Sequence, residues 1–275
     1  MNTLEGIFLW LCVLGYVVAF VGMLAGLVFS REKAIKGAWK LLIATVALHT
    51  LSILTRWGAT GHMPVMGAYE NSLLGAWFVA LIFLGSGRWI PGIRPLGVVV
   101  IPIVLVMLGN GIMSGAELEP LAPAFQSNWL FVHVIFAWLA YGSFLFAAGL
   151  GIAFLMKNRD RARGKSGGIS KKIPDLDIVD NLIFRFIIFG FIADTVMIAT
   201  GSIWAHGLWG RYWGWDPIET WSLVSWLIYG AAVHLRLTMG WKNRRMAWLA
   251  IGAIVSVIIS FFGIGFISGV HTQLL

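Results

Sequence analysis

Eight long apolar runs, separated by short polar stretches, follow one another along this chain. They fall at about 4–29, 38–57, 68–86, 96–113, 129–156, 179–203, 217–237 and 246–270. A run of about 20 apolar residues crosses a bilayer as a helix. The pattern therefore predicts an all-α, polytopic membrane protein with about eight transmembrane helices. The first run is too long for the core of a secretory signal, has no basic residue before it and lacks a small-residue cleavage site. It is expected to be a spanning helix.

Composition agrees with the pattern. The 275 residues are 59% hydrophobic and 12% charged, against roughly 25% charged in an ordinary soluble domain. Mean hydropathy is +0.85. A net charge of +8 would suit a nucleic-acid binder, but its placement argues against that partner. Basic residues crowd the connections after runs one, three, five and seven, which carry seventeen of the twenty Lys and Arg, while Arg56 and Arg211 stand on the opposite side. The positive-inside rule puts the loaded side in the cytoplasm. The expected location is thus the inner membrane, with both termini on the outer, periplasmic side.

The whole chain, 1–275, is expected to be a single integral-membrane domain without internal repeats. Residues 157–178 look like a basic cytoplasmic linker, loosened by Gly164, Ser166, Gly167 and Gly168. Gly-Lys-Ser at 164–166 is not a phosphate loop, because Arg159 stands where its first glycine would be. Gly22/Gly26 and Gly265/Gly269 read as close helix-packing pairs. Cys12, the one cysteine, has no second thiol with which to form a disulfide or redox pair.

One outer segment stands apart. Six of the fifteen tryptophans fall between 204 and 226: Trp204, Trp209, Trp213, Trp215, Trp221 and Trp226. An aromatic belt at headgroup level would also use tryptophan, but it would scatter over all the helix ends. It would not need Gly207, Gly210 and Gly214 between the rings. Several large apolar faces on the external segment 204–221, with glycines that allow close backbone approach, suit a planar aromatic ligand. Asp216-Pro217-Ile218-Glu219 also reads as a helix start, with Asp as N-cap, Pro in the first turn and Glu closing a capping box.

Six histidines occur. Neutral imidazole is a frequent axial ligand of haem iron. His133 lies about five residues into the fifth run, roughly 7 Å below its outer end. His271 follows the eighth run and falls at the same surface. With the Trp-rich segment, this pair suits a haem gripped from both faces, although each alone would serve as an interfacial hydrogen-bonding residue. His234 lies roughly 25 Å into the seventh run, in the cytoplasmic half. It is either hydrogen-bonded to a neighbouring helix or a ligand to a second haem, with His49 the rival for that role. His62 and His206 are expected not to be ligands.

These residues closely resemble the CcsA/ResC family of cytochrome c assembly proteins, which share a WWD haem-handling domain. The matching stretch is Trp209-Gly210, then Trp213-Gly214-Trp215-Asp216-Pro217, Glu219-Thr220-Trp221-Ser222-Leu223, Trp226 to Tyr229, and His234 with Arg236. Flanking matches are Ser127-Asn128-Trp129-Leu130 with His133, Pro64 to Glu70, and Gly269-Val270-His271. Ile218 departs from the lysine expected in many relatives. The resemblance implies that His133 and His271 ligate haem b against the Trp-rich loop. It implies that His234 ligates a haem in transit, with a ResB/CcsB-type membrane partner supplying the second ligand. It also implies that the complex joins haem to the Cys-x-x-Cys-His motif of an apocytochrome c. A CcmC-like delivery protein without ligation activity, or a b-type redox subunit, would be the alternatives.

Overall fold

The computed structural model describes residues 1–118, 122–164, 170 and 172–260. Among them are eight α-helices and no strand: α1 (Thr3–Val28), α2 (Glu32–Thr60), α3 (Gly67–Trp89), α4 (Gly97–Met113), α5 (Asn128–Ala162), α6 (Leu176–Trp209), α7 (Pro217–Leu237) and α8 (Arg244–Ile258). Six regions among the described residues are long and apolar enough to cross a membrane, namely α1, α2, α3, Gly92–Met113, α5 and α6. The protein is therefore an all-α, multi-pass membrane protein. α7 has the length, at 21 residues, but Glu219, His234 and Arg236 dilute its apolar character. Gly265, Gly269 and His271 lie outside the described residues.

The chain divides into two compact units. Unit 1 is Met1–Leu121 with Met156–Pro174; unit 2 is Ala122–Leu155 with Asp175–Leu275. In unit 1, α1 and α2 form a hairpin through Phe29, Ser30 and Arg31. Gly15, Gly22 and Gly26 of α1 let α2 approach: a Cβ on Gly22 would meet that of Ala38 at 3.1 Å, and Gly15 and Gly26 press on Thr45 and Ile35. Lipid is as apolar as leucine, so helices in a bilayer associate through such close packing at small residues. The opposite stripe of α1, with Leu4, Leu11, Leu14, Val18 and Val21, is exposed. That surface would be insoluble in water and suits acyl chains.

Two ends of these helices differ from the sequence expectation. The basic stretch 157–162 continues α5, and α6 begins at Leu176, so the expected linker shrinks from both sides. Lys157 Nζ donates to the Ile173 and Pro174 carbonyls at 2.7 and 2.9 Å. At the other end α6 runs on to Trp209, where Gly210 stops it in the left-handed region at φ +67°. Trp204 and Trp209 are consequently helical residues. Gly207, inside α6, faces open space and does not break it.

Unit 2 is built on α5, α6, α7 and α8. Phe146 of α5 meets Phe186 of α6 edge-on at 4.7 Å. Phe191 of α6 stacks on Trp226 of α7, with ring centroids 5.3 Å apart. A Cβ on Gly151 of α5 would meet the Ala247 carbonyl of α8 at 2.8 Å. Near the far end of α7, the buried Arg236 donates to Asp180 at 2.7 Å and to Asn181 at 3.2 Å. The other Asp180 oxygen accepts from the Asn243 amide at 2.7 Å. Arg236, counted at the sequence level among the loop cations, is thus a buried tie between α6 and α7.

Candidate functional site

The start of α5, the end of α6 and the start of α7 meet at one end of unit 2. His133, in the second turn of α5, reaches across to α6. Its Nδ1 lies 2.8 Å from the Met197 carbonyl oxygen. Only an N–H can bond to a carbonyl, so Nδ1 carries the proton and Nε2 the lone pair. A hydrogen bond from the remote nitrogen to a backbone carbonyl is the usual way a metal-binding imidazole is oriented.

Gly201 makes this reach possible. A Cβ there would stand 2.6 Å from His133 Nδ1 and 2.9 Å from Cε1. The sequence reading assigned close approach to Gly207, Gly210 and Gly214 and gave Gly201 no role. Of those three, Gly210 caps α6, and Gly214 lies under the Arg211 guanidinium with no room for a Cβ.

Trp204 stacks on His133, with centroids 6.4 Å apart and planes 26° from parallel. Trp209 meets Trp204 edge-on at 5.8 Å, and Phe125 flanks it at 6.4 Å. The Arg211 guanidinium lies 5.9 Å from the Trp209 ring centre. One imidazole is therefore set beside the Trp204 indole, which Trp209 and Phe125 back. Trp213 and Trp215 form a second pair, edge-on at 5.8 Å. Trp215 is 70% exposed and sits at φ +59°, a backbone region that a bulky residue seldom occupies. Trp221 is half-buried in the second turn of α7.

Asp216 caps α7 as expected, its carboxylate accepting from the Glu219 amide at 2.9 Å, with Pro217 in the first turn. The reciprocal half of the capping box is different. Glu219 Oε2 accepts from the Gly214 amide at 2.6 Å, so it anchors the loop instead of closing on Asp216. The Arg211 Nη1 and Trp213 Nε1 atoms are buried without a hydrogen-bond partner among the described residues.

The other histidines separate cleanly. His234 is exposed on α7, with no helix-to-helix hydrogen bond from its ring among the described residues. His49 is fully buried, its Nδ1 3.1 Å from the Tyr16 hydroxyl. His62 Nδ1 pairs with the Met63 carbonyl at 2.9 Å. His206 is exposed and stacks on Tyr212 at 4.2 Å. No group of three or more His, Cys, Asp or Glu among the described residues could hold a bare metal ion.

Residues 65–271 match the model of the cytochrome C assembly protein family, a span that contains His133, the Trp-rich segment, His234 and His271. The chain is similar to the cytochrome c biogenesis protein CcsA of Synechococcus sp. (strain CC9605), at 32% identity over 89% of this chain and 88% of the relative. It is similar to the CcsA of Prochlorococcus marinus (strain MIT 9301), at 31% over 90% and 87%. The CcsA of Guillardia theta matches at 30% over 93% and 91%. Among solved structures, a cytochrome c haem lyase, CcmF, shares the fold with a TM-score of 0.67 at 17% identity, over 92% of this chain and 45% of that one.

Proposed function

The chain belongs to the cytochrome c assembly protein family and is a multi-pass membrane protein of cytochrome c biogenesis; we propose that it binds haem b as a substrate and presents it for covalent attachment. The observation that carries this reading is the His133–Met197–Trp204 arrangement. An imidazole is fixed in its Nδ1-protonated tautomer by the Met197 carbonyl, beside a flat indole, and Gly201 leaves it room. His271, beyond the described residues, is the proposed ligand on the opposite face. Two imidazoles would hold the iron until the substrate's own histidine displaces one. Trp209, Trp213, Trp215 and Trp221 would form the platform, and Asp216 fixes where it joins α7.

The reactive vinyl groups belong to the haem and the thiols to the Cys-x-x-Cys-His motif of the apocytochrome c. This chain supplies ligation, orientation and shielding. His234, exposed on α7, is the proposed ligand for haem in transit, completed by a ResB/CcsB-type partner. The asymmetry of basic loops supports an inner-membrane location with the Trp-rich segment facing outward.

The test is a cytochrome c maturation assay with His133→Gly and His271→Gly, expressed beside the partner. Each substitution is expected to abolish holocytochrome formation, and added imidazole to restore it. Full activity of either variant without imidazole would refute the assignment.

A further inference from the structure

We propose that Asp194, Ser225 and Tyr229 form a binding site for a small monovalent cation in the interior of unit 2. Asp194 lies on α6 about 22 Å from its Trp209 end at 1.5 Å per residue, and its relative exposure is 0%. Neither carboxylate oxygen has a hydrogen-bond partner among the described residues. The hydroxyls of Ser225 and Tyr229, also fully buried, are unpartnered as well. A helical serine ordinarily satisfies itself on the carbonyl a turn back; Ser225 does not.

Packing sets the two helices against each other at the level of these groups. Gly190 and Asp194 share a face of α6, one turn apart, and Ser225 and Tyr229 share a face of α7. Phe144 of α5 fills the space against Gly190 and lies parallel to the Tyr229 ring, with centroids 3.4 Å apart. One residue along on each helix, Trp226 Nε1 donates to Thr195 Oγ1 at 2.9 Å. Tyr229 on α7 and Tyr141 on α5 lie within electrostatic range of Asp194. These are the titratable groups facing it, since α8 offers none between Met246 and Ile258.

The donor set selects the ligand. A lone carboxylate in a bilayer interior is costly unless something neutralises it, and no described cation does so here. Four oxygen atoms and no nitrogen or sulfur favour a hard ion. A single negative charge balances a single positive one, which disfavours a divalent metal. An alkali-metal ion carries that chemistry; a proton on Asp194 itself is the rival way to neutralise it. Occupancy would tie α6 to α7, the helix that also carries Trp221 and His234.

The experiment is thermal unfolding of the purified full chain in sodium, potassium or choline chloride at equal ionic strength, with a pH series in choline. An alkali ion is expected to raise the wild-type midpoint by a few degrees over choline. Asp194→Asn is expected to lose this response, and Ser225→Ala and Tyr229→Phe to weaken it. A wild-type midpoint indifferent to the salts would overturn the proposal, and one that rises only as pH falls would show Asp194 neutralised by its own proton instead. Should Asp194→Asn not fold, responses of Ser225→Ala and Tyr229→Phe identical to wild type would overturn it equally.

Discussion

Unit 1 and unit 2 each gather polar groups at one end of their helices, and the two gatherings are built on opposite principles. In unit 1 the buried Arg56 donates from Nε to Glu70 at 2.8 Å and lies 3.7 Å from Glu5. Its remaining donors go to the carbonyls of Ala116 and Glu117. Each carboxylate also caps a helix start, Glu5 through the Asn2 amide and Glu70 through the Met66 amide. Tyr69 closes the knot, donating to Glu5 at 2.7 Å and lying under the Arg56 guanidinium. In unit 2 the corresponding gathering leaves donors over: among the described residues Arg211 Nη1 and Trp213 Nε1 have no hydrogen-bond partner, Trp215 is mostly exposed, and His133 is oriented through Nδ1 by the Met197 carbonyl. A charged cluster that satisfies itself is a fastening. One that leaves buried donors over beside an exposed indole suits the proposed ligand site.

The sharpest way to break the contrast is at its closed end. Arg56→Ala leaves Glu5 and Glu70 buried without a counter-charge, and removing one partner of a buried pair costs about 3–5 kcal/mol. Thermal unfolding in detergent is expected to show that loss. Replacing Glu5 and Glu70 by Gln together with Arg56→Met is expected to recover much of it. Gly201→Ala attacks the open end without replacing a proposed ligand. The added methyl displaces His133, at an overpacking cost of about 1–3 kcal/mol. The expected outcome is a folded protein with reduced haem content, measured by pyridine haemochrome assay of the purified chain.

Asp216→Ala removes one cap and is expected to lower stability by about 1 kcal/mol. Asp216→Asn is expected to keep most of it, with unfolding midpoints as the readout. His206→Ala is the smallest change. His206 is exposed and touches Tyr212, so holocytochrome yield is expected to match wild type.

The spans were legible because a bilayer demands long apolar runs. The start of α7 at Pro217 was legible because Asp216 and Pro217 carry a local signal. Helix ends outside the apolar runs were not. The basic end of α5 has no hydropathy signal, and Trp204 to Trp209 of α6 lie past the end of the apolar run at 203.

The candidate site was half legible. His133 and the tryptophans were found by residue type. The Met197 carbonyl and the space at Gly201 are tertiary facts, set by which turn of α6 faces α5. Glu219 was read as closing on its own cap, whereas the bend at Trp215 brings Gly214 to it instead. Asp194 could have been noticed as a lone acid in an apolar run. Its lack of a partner could not, since that depends on α5 and α7.

The direct test of the proposed haem assignment is the visible spectrum of the purified chain, compared between wild type and His133→Ala. The expected wild-type spectrum is that of low-spin, bis-imidazole iron, and the variant is expected to lose that signature. A His133→Ala spectrum indistinguishable from wild type, at equal haem content, would contradict the account.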